Sequence, residues 1–263
     1  VLTVRFPSPV ESPDPENNIV HAELFEPTNP TPKGGAGVVV LHILGADFAH
    51  SRYLAARLAD RGVTALFVKL PYYGERRPAH LGNGKRFLSA DIERSTLAMR
   101  QGICDVRRAA AWLAARPGVD PERLGIAGVS LGGIVGSVAA AVDPSLKQAA
   151  LLLAGGDRAR ILWEMPEPEA AKARQAWINS GRTRADLENL CRPFDPLTHG
   201  QRLQGKKVLM FAGRADEVIP PDCSKALWEV AGRPAIEWLD CGHYSAAGLL
   251  LPAFRRTVDF FAD

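Results

Sequence analysis

The stretch LGIAGVSLGGIVGSVAAAV, residues 124–142, carries no charge and changes periodicity midway. Its first part is short and apolar on both faces, as a strand covered on both sides requires, and its second part repeats at Ile134, Val138 and Val142, a helical spacing. Five glycines and two serines within it speak against a membrane span of similar length. It reads as a buried strand near 123–129, a sharp turn at Ser130 and a buried helix.

The turn itself is Gly128-Val129-Ser130-Leu131-Gly132. A serine on a very tight strand-to-helix turn is held in a strained backbone conformation with its hydroxyl exposed, and strand and helix pass so close that the positions two away must be small. Gly128 and Gly132 meet that demand. The next amide, from Leu131, opens the helix, where unsatisfied N–H groups and the helix dipole favour a developing negative charge.

Outward from this turn, further strands are expected near 1–6, 19–26, 37–42, 65–70, 148–154, 207–212 and 235–240, several of them continuous apolar runs such as VVVL at 38–41. Between them lie helical patterns, for example Ile92, Thr96, Met99, Ile103, Val106, Ala110 and Leu113. Strands alternating with helices imply right-handed crossovers and a doubly wound, mostly parallel sheet of eight strands with helices on both faces, in one domain over residues 1–263. The first two strands lack a helix between them and should form an antiparallel edge. A proline-rich connector is expected at 27–32. Residues 157–205 break the alternation and read as an insertion after the sixth strand, with a helix around 167–178 and a position that suits a lid.

A serine hydroxyl needs a base, and the base needs an orienting acid. The strand near 207–212 runs into GRADEVIP at 213–220, which places Asp216 just past its C-terminal end; the strand near 235–240 runs into Cys241-Gly242-His243-Tyr244. In a parallel sheet the carboxyl ends of the strands share one edge, so Ser130, Asp216 and His243 can converge there. Glu217 and Asp240 compete for the acid's role, but Glu217 is one residue further on and Asp240 still belongs to its strand. His42, closing a core strand, reads as hydrogen-bonded structure, and Cys241 as packing.

With these residues in hand, the chain resembles the α/β-hydrolase superfamily over nearly all its length, through GVSLGG at 128–133, GRADEVIPP at 213–221, CGHYS at 241–245 and VVVLHILG at 38–45. The resemblance implies that fold, with Ser130 as nucleophile, His243 as base and Asp216 as its partner. It further implies an oxyanion hole made by the backbone N–H of Leu131 and one from Ile43 or Leu44, the usual His-Gly dipeptide being replaced by His42-Ile43. Within the superfamily the LPYYGERRP loop at 70–78 looks most like dienelactone-hydrolase and acyl-esterase relatives, although dienelactone hydrolases proper carry cysteine where this chain has Ser130. A serine hydrolase of carboxylic esters, acting through an acyl-enzyme without metal or organic cofactor, is the expected function. A thioesterase, lactonase or peptidase would need the same groups, and a silent hydrolase-like binding module is the rival from another class.

Composition narrows the partners. Apolar residues make up 46% and charged ones 23%, globular proportions, and the net charge of +3 is spread without a basic stripe, so a small-molecule ester is expected and nucleic acid is not. Four scattered cysteines form no C-x-x-C pair. No basic-then-apolar signal segment is visible, and the compartment stays open. Candidate substrate-binding residues are Tyr72, Tyr73, Arg76 and Arg77, after the fourth strand on the active-site side, and Trp163 and Trp177, which could line an acyl pocket beneath the insertion.

Overall fold

The computed structural model describes residues 1–263 apart from 29–33, 46, 47, 86, 88 and 90, so residues 29–32 of the expected connector lie outside it. The described residues form eight strands: β1 (Leu2–Pro7), β2 (Ile19–Phe25), β3 (Gly35–Leu41), β4 (Thr64–Val68), β5 (Val119–Val129), β6 (Gln148–Leu152), β7 (Lys207–Gly213) and β8 (Ala235–Leu239). They make one sheet in the order β1-β2-β4-β3-β5-β6-β7-β8. β1 and β2 pair antiparallel, as does β2 with β4, and every other pairing is parallel. The parallel steps cross over through α1 (Ala49–Asp60), α2 (Ile92–Ala114), α3 (Leu131–Val142) and α8 (Pro221–Val230), and from β6 to β7 through the longer helical segment described below, with α9 (Leu250–Ala262) closing the chain.

Both faces of the central strands are buried because both are covered. Along β3, Val39 and Leu41 pack with Ile103, Val106, Val135 and Leu227 from α2, α3 and α8. Val38 and Val40 point the other way, into Leu54 and Leu58 of α1 and Phe254 and Phe261 of α9. Burying each such side chain contributes about 1.5–3 kcal/mol, and period-two alternation within an all-apolar strand supplies two cores at once. Register brings Val39 opposite Leu66 on one side and Ile126 on the other, so the C-terminal ends of β3, β5, β6 and β7 open on one edge. None of the described helices is long and apolar enough to cross a membrane.

Several strand bounds shift by a few residues, and Asp240 falls just past the end of β8; two larger changes concern the region after β6. The strand expected at 148–154 stops at Leu152, because Leu153 takes φ 48° and turns the chain while its N–H still donates to the Phe211 carbonyl at 2.7 Å. The segment between β6 and β7 holds four helices where one was expected: α4 (Arg158–Glu164), α5 (Pro168–Asn179), α6 (Arg184–Cys191) and α7 (Pro196–His199). α4 was missed because its run RARILWE is short and interleaves charge with apolar residues.

Candidate active site

At the end of β5 the chain reverses direction within one residue. Ser130 has φ 53° and ψ −116°, a conformation that strains any residue bearing a Cβ. It is held by its own N–H, which donates to the Leu152 carbonyl at 2.8 Å, and by its carbonyl, which accepts the Ile134 N–H at 2.9 Å. The crossing is as tight as the spacing predicts. A Cβ on Gly128 would stand 2.3 Å from the Gly132 backbone, and one on Gly132 would stand 2.7 Å from the His42 carbonyl oxygen.

Ser130 Oγ lies 2.9 Å from His243 Nε2. His243 Nδ1 lies 2.9 Å from one oxygen of Asp216 and 3.1 Å from the other, which a neutral imidazole satisfies by donating from Nδ1 and accepting the serine proton at Nε2. Asp216 is buried, and its Oδ1 also accepts the N–H groups of Val218 and Ile219 at 3.0 and 2.7 Å, so its carboxylate cannot swing away. Geometry separates it from its two competitors. Glu217 accepts the backbone N–H of His243 at 2.8 Å instead of a ring nitrogen, and that bond leads the causes holding its carboxyl below the usual range. Asp240 points outward and pairs with Arg214 at 3.0 Å.

The loop after β3 is fastened from inside the protein. His42 is fully buried; the Leu70 N–H donates to its Nε2 at 3.0 Å, so the ring proton sits on Nδ1 and is donated to the Ile43 carbonyl at 2.7 Å. Burial holds the pKa of this histidine down to about 4, keeping it neutral. In a trans peptide the N–H points opposite to the C=O of the same plane. The Ile43 carbonyl is drawn to the buried ring, so the Leu44 N–H is aimed away from it, while Leu44 itself lines the cavity beside Ser130. The Tyr73 hydroxyl pins the next plane by donating to the Leu44 carbonyl at 2.6 Å. On the other side of Ser130, the Leu131 N–H belongs to the first turn of α3, where no intrahelical acceptor exists.

Ser130 and His243 open into a cavity of about 480 Å³ whose wall is mostly apolar, including Phe87, Met99, Val218 and Ile219. α4 supplies a second side: Arg158, Ile161, Leu162 and Met165 recur at helical spacing and all line it. The Tyr244 hydroxyl hydrogen-bonds the Glu167 carboxylate, tying the loop that bears His243 to the segment between α4 and α5. This bond is the leading cause that pushes the Tyr244 hydroxyl up to about 12. Among the described residues no group of three or more His, Cys, Asp or Glu gathers as a metal ion would require.

A family model described as "Alpha/beta hydrolase domain containing 18" matches residues 6–154, more than half of the chain, and one described as "Prolyl oligopeptidase family" matches residues 93–232. The chain belongs to the α/β-hydrolase superfamily. A curated relative, "Uncharacterized protein Rv2627c" of Mycobacterium tuberculosis, is 26% identical over 193 residues, 73% of this chain and 45% of that protein. The chain thus spans under half the length of the curated relatives it matches. Among solved structures, an acetyl xylan esterase from Paenibacillus sp. R4 is similar with a TM-score of 0.73 and 19% identity, over 92% of this chain and 79% of that one. A puromycin-hydrolyzing peptidase of Mycobacterium tuberculosis matches with a TM-score of 0.68 and 20% identity, over 92% of this chain and 37% of that one.

The six side chains expected to bind substrate sit away from the cavity. Arg76 is fully buried and spends its donors on Asp105, at 2.7 Å, and on the Asn17 and Lys69 carbonyls, because a guanidinium deep in the core must be paired. Arg77 hydrogen-bonds the Leu81 carbonyl within its own loop. Tyr72 and Tyr73 belong to the core, and Tyr73 acts on the loop after β3 through its hydroxyl rather than lining the cavity. Trp177 packs with Ile92, Ala173 and Leu187 and donates to the Thr183 carbonyl at 2.8 Å. Trp163 follows Leu162 by one residue, about 100° round the helix, and so faces that satellite cluster instead of the cavity. Arg158, Met165, Glu167 and Tyr244 were missed. The signal for the first two was the i, i+3, i+4, i+7 stripe of α4, overlooked in favour of the larger tryptophans.

Proposed function

We propose that this chain hydrolyses carboxylic esters through an acyl-enzyme formed on Ser130. The observation that carries the reading is the continuous relay from Ser130 Oγ to His243 Nε2, 2.9 Å, and from His243 Nδ1 to Asp216, 2.9 Å, in the wall of an apolar cavity. Ser130 attacks the ester carbonyl as His243 takes its proton; Asp216 holds the ring tautomer and stabilises the imidazolium. In this reading the N–H groups of Leu131 and Leu44 meet the oxyanion, and the peptide plane held by His42 supports Leu44 over Ile43. His243 returns its proton to the departing alcohol, then activates the water that releases the acid.

The likeness to an acetyl xylan esterase supports esters as the substrate class. The match to the prolyl oligopeptidase family favours a second reading, in which the same groups cleave a peptide bond. A fluorophosphonate probe together with matched acyl p-nitrophenyl esters and acyl p-nitroanilides tests both. Covalent labelling of Ser130, lost in Ser130→Ala, with turnover of the esters is the expected result. Folded protein that takes no label overturns the serine mechanism, and turnover confined to the anilides selects the peptidase.

A further inference from the structure

Among the described residues two arginines are more than nine-tenths buried, and they are treated differently. Arg76, with no exposed surface, pairs with Asp105 and saturates two backbone carbonyls. Arg158 keeps 8% of its surface, yet its guanidinium makes no hydrogen bond or ion pair with any described residue, and its Nη1 is buried without a partner. The carboxylates near it are already engaged. Asp195 accepts the backbone N–H groups of Asp157, Arg158 and Leu197, and Asp157 caps α4 through the Arg160 N–H. Removing a guanidinium from water without hydrogen-bonding its donors costs free energy. Arg158 nevertheless heads the stripe of α4 that lines the cavity containing Ser130.

We propose that Arg158 is an anion subsite, and that the substrate is an ester bearing a carboxylate at the far end of an apolar segment that occupies the cavity. The inference rests on the ester-hydrolase reading of Ser130. A carboxylate matches the planar, multi-donor fork of a guanidinium and supplies the missing acceptor. The other titratable groups on the wall are His50, His243, Tyr244 and Glu167. Glu167 is half-buried, takes the Tyr244 hydroxyl on one oxygen and leaves the other without a partner, so it repels an anion from its own side and orients the carboxylate toward Arg158.

Three length-matched esters read this out: the p-nitrophenyl monoester of adipic acid, with a free carboxylate, its neutral methyl ester, and an analogue ending in trimethylammonium. In the unmodified protein kcat/KM for the anionic ester should exceed that for the neutral one by about tenfold or more, mainly through KM. Arg158→Gln should bring the ratio to about one or below, Arg158→Lys should restore part of it, and Glu167→Gln should raise it. A ratio of one or less in the unmodified protein, or one unmoved by Arg158→Gln, overturns the proposal, and the Glu167→Gln comparison stands even if Arg158→Gln does not fold. If none of the esters is turned over and Ser130 takes no fluorophosphonate, the ester reading has failed; calorimetry with monomethyl adipate then reads the subsite alone, and binding equal in Arg158→Gln and unmodified protein overturns it.

Discussion

The two sides of the cavity are built in different ways. On the sheet side every group near Ser130 is fixed by a short named contact: the Asp216 carboxylate by two amides and an imidazole, the loop after β3 by His42 and Tyr73. On the side supplied by α4 the wall is a helical stripe held by packing, by Asp195 at its start and by the Tyr244–Glu167 bond near its end. The first arrangement suits groups that must meet a reacting atom within fractions of an ångström. The second suits discrimination among substrates, which depends on shape and charge and tolerates small shifts. Changes on the sheet side should therefore reduce turnover of every ester alike, and changes on the α4 side should alter preference.

The sharpest test of the contrast is Asp216→Asn, which should lower kcat by about four powers of ten for short and long esters equally, because an amide supplies no charge and can hold the wrong tautomer. Glu217→Gln, which alters only a backbone tie, should cost less than about tenfold. Steady-state kinetics on both variants checks this, and the reverse ranking would reassign the acid. Next in size, Gly132→Val should destabilise the fold by at least about 3 kcal/mol in urea unfolding, since its side chain has nowhere to go between α3 and the His42 carbonyl.

His42 links the sheet side to pH. Its folded pKa of about 4 lies below the ordinary 6.5, so between those values the unfolded chain binds one more proton. Stability is therefore fully present above about pH 6.5 and is lost as pH falls, by about 3 kcal/mol at pH 4. Unfolding measured at several pH values should show this loss, to which His21, also held low by burial, adds, and His42→Gln should remove the larger part of it. The smallest effect belongs to α4. Met165→Ala should reduce kcat/KM for an octanoyl ester about tenfold relative to an acetyl ester, because only the longer chain reaches it. Equal loss for both esters would erase the distinction between the two sides.

Much of the sheet side was legible in the sequence because its constraints are local. Gly128 and Gly132 flank Ser130 at fixed spacing since the backbone can reverse there in only one way, and Asp216 and His243 follow the ends of β7 and β8 as short loops must. The α4 side was misread for an equally physical reason. Size suggested Trp163 and Trp177, whereas the angle of each residue about the helix axis decides which face meets the cavity, and α4 is too short and too mixed in composition to announce its own axis.

Arg76 and Arg158 mark the same boundary. The sequence by itself determined the doubly wound sheet, the elbow at Ser130 and the approach of Asp216 and His243, because periodicity, glycine spacing and strand order act through neighbours along the chain. Only the tertiary structure decided which arginine is neutralised and which is left facing the cavity. The partner of Arg76 is Asp105, on a different element, and Arg158 is exceptional only through the contacts it lacks. Pairing between distant side chains depends on distances that no local pattern encodes.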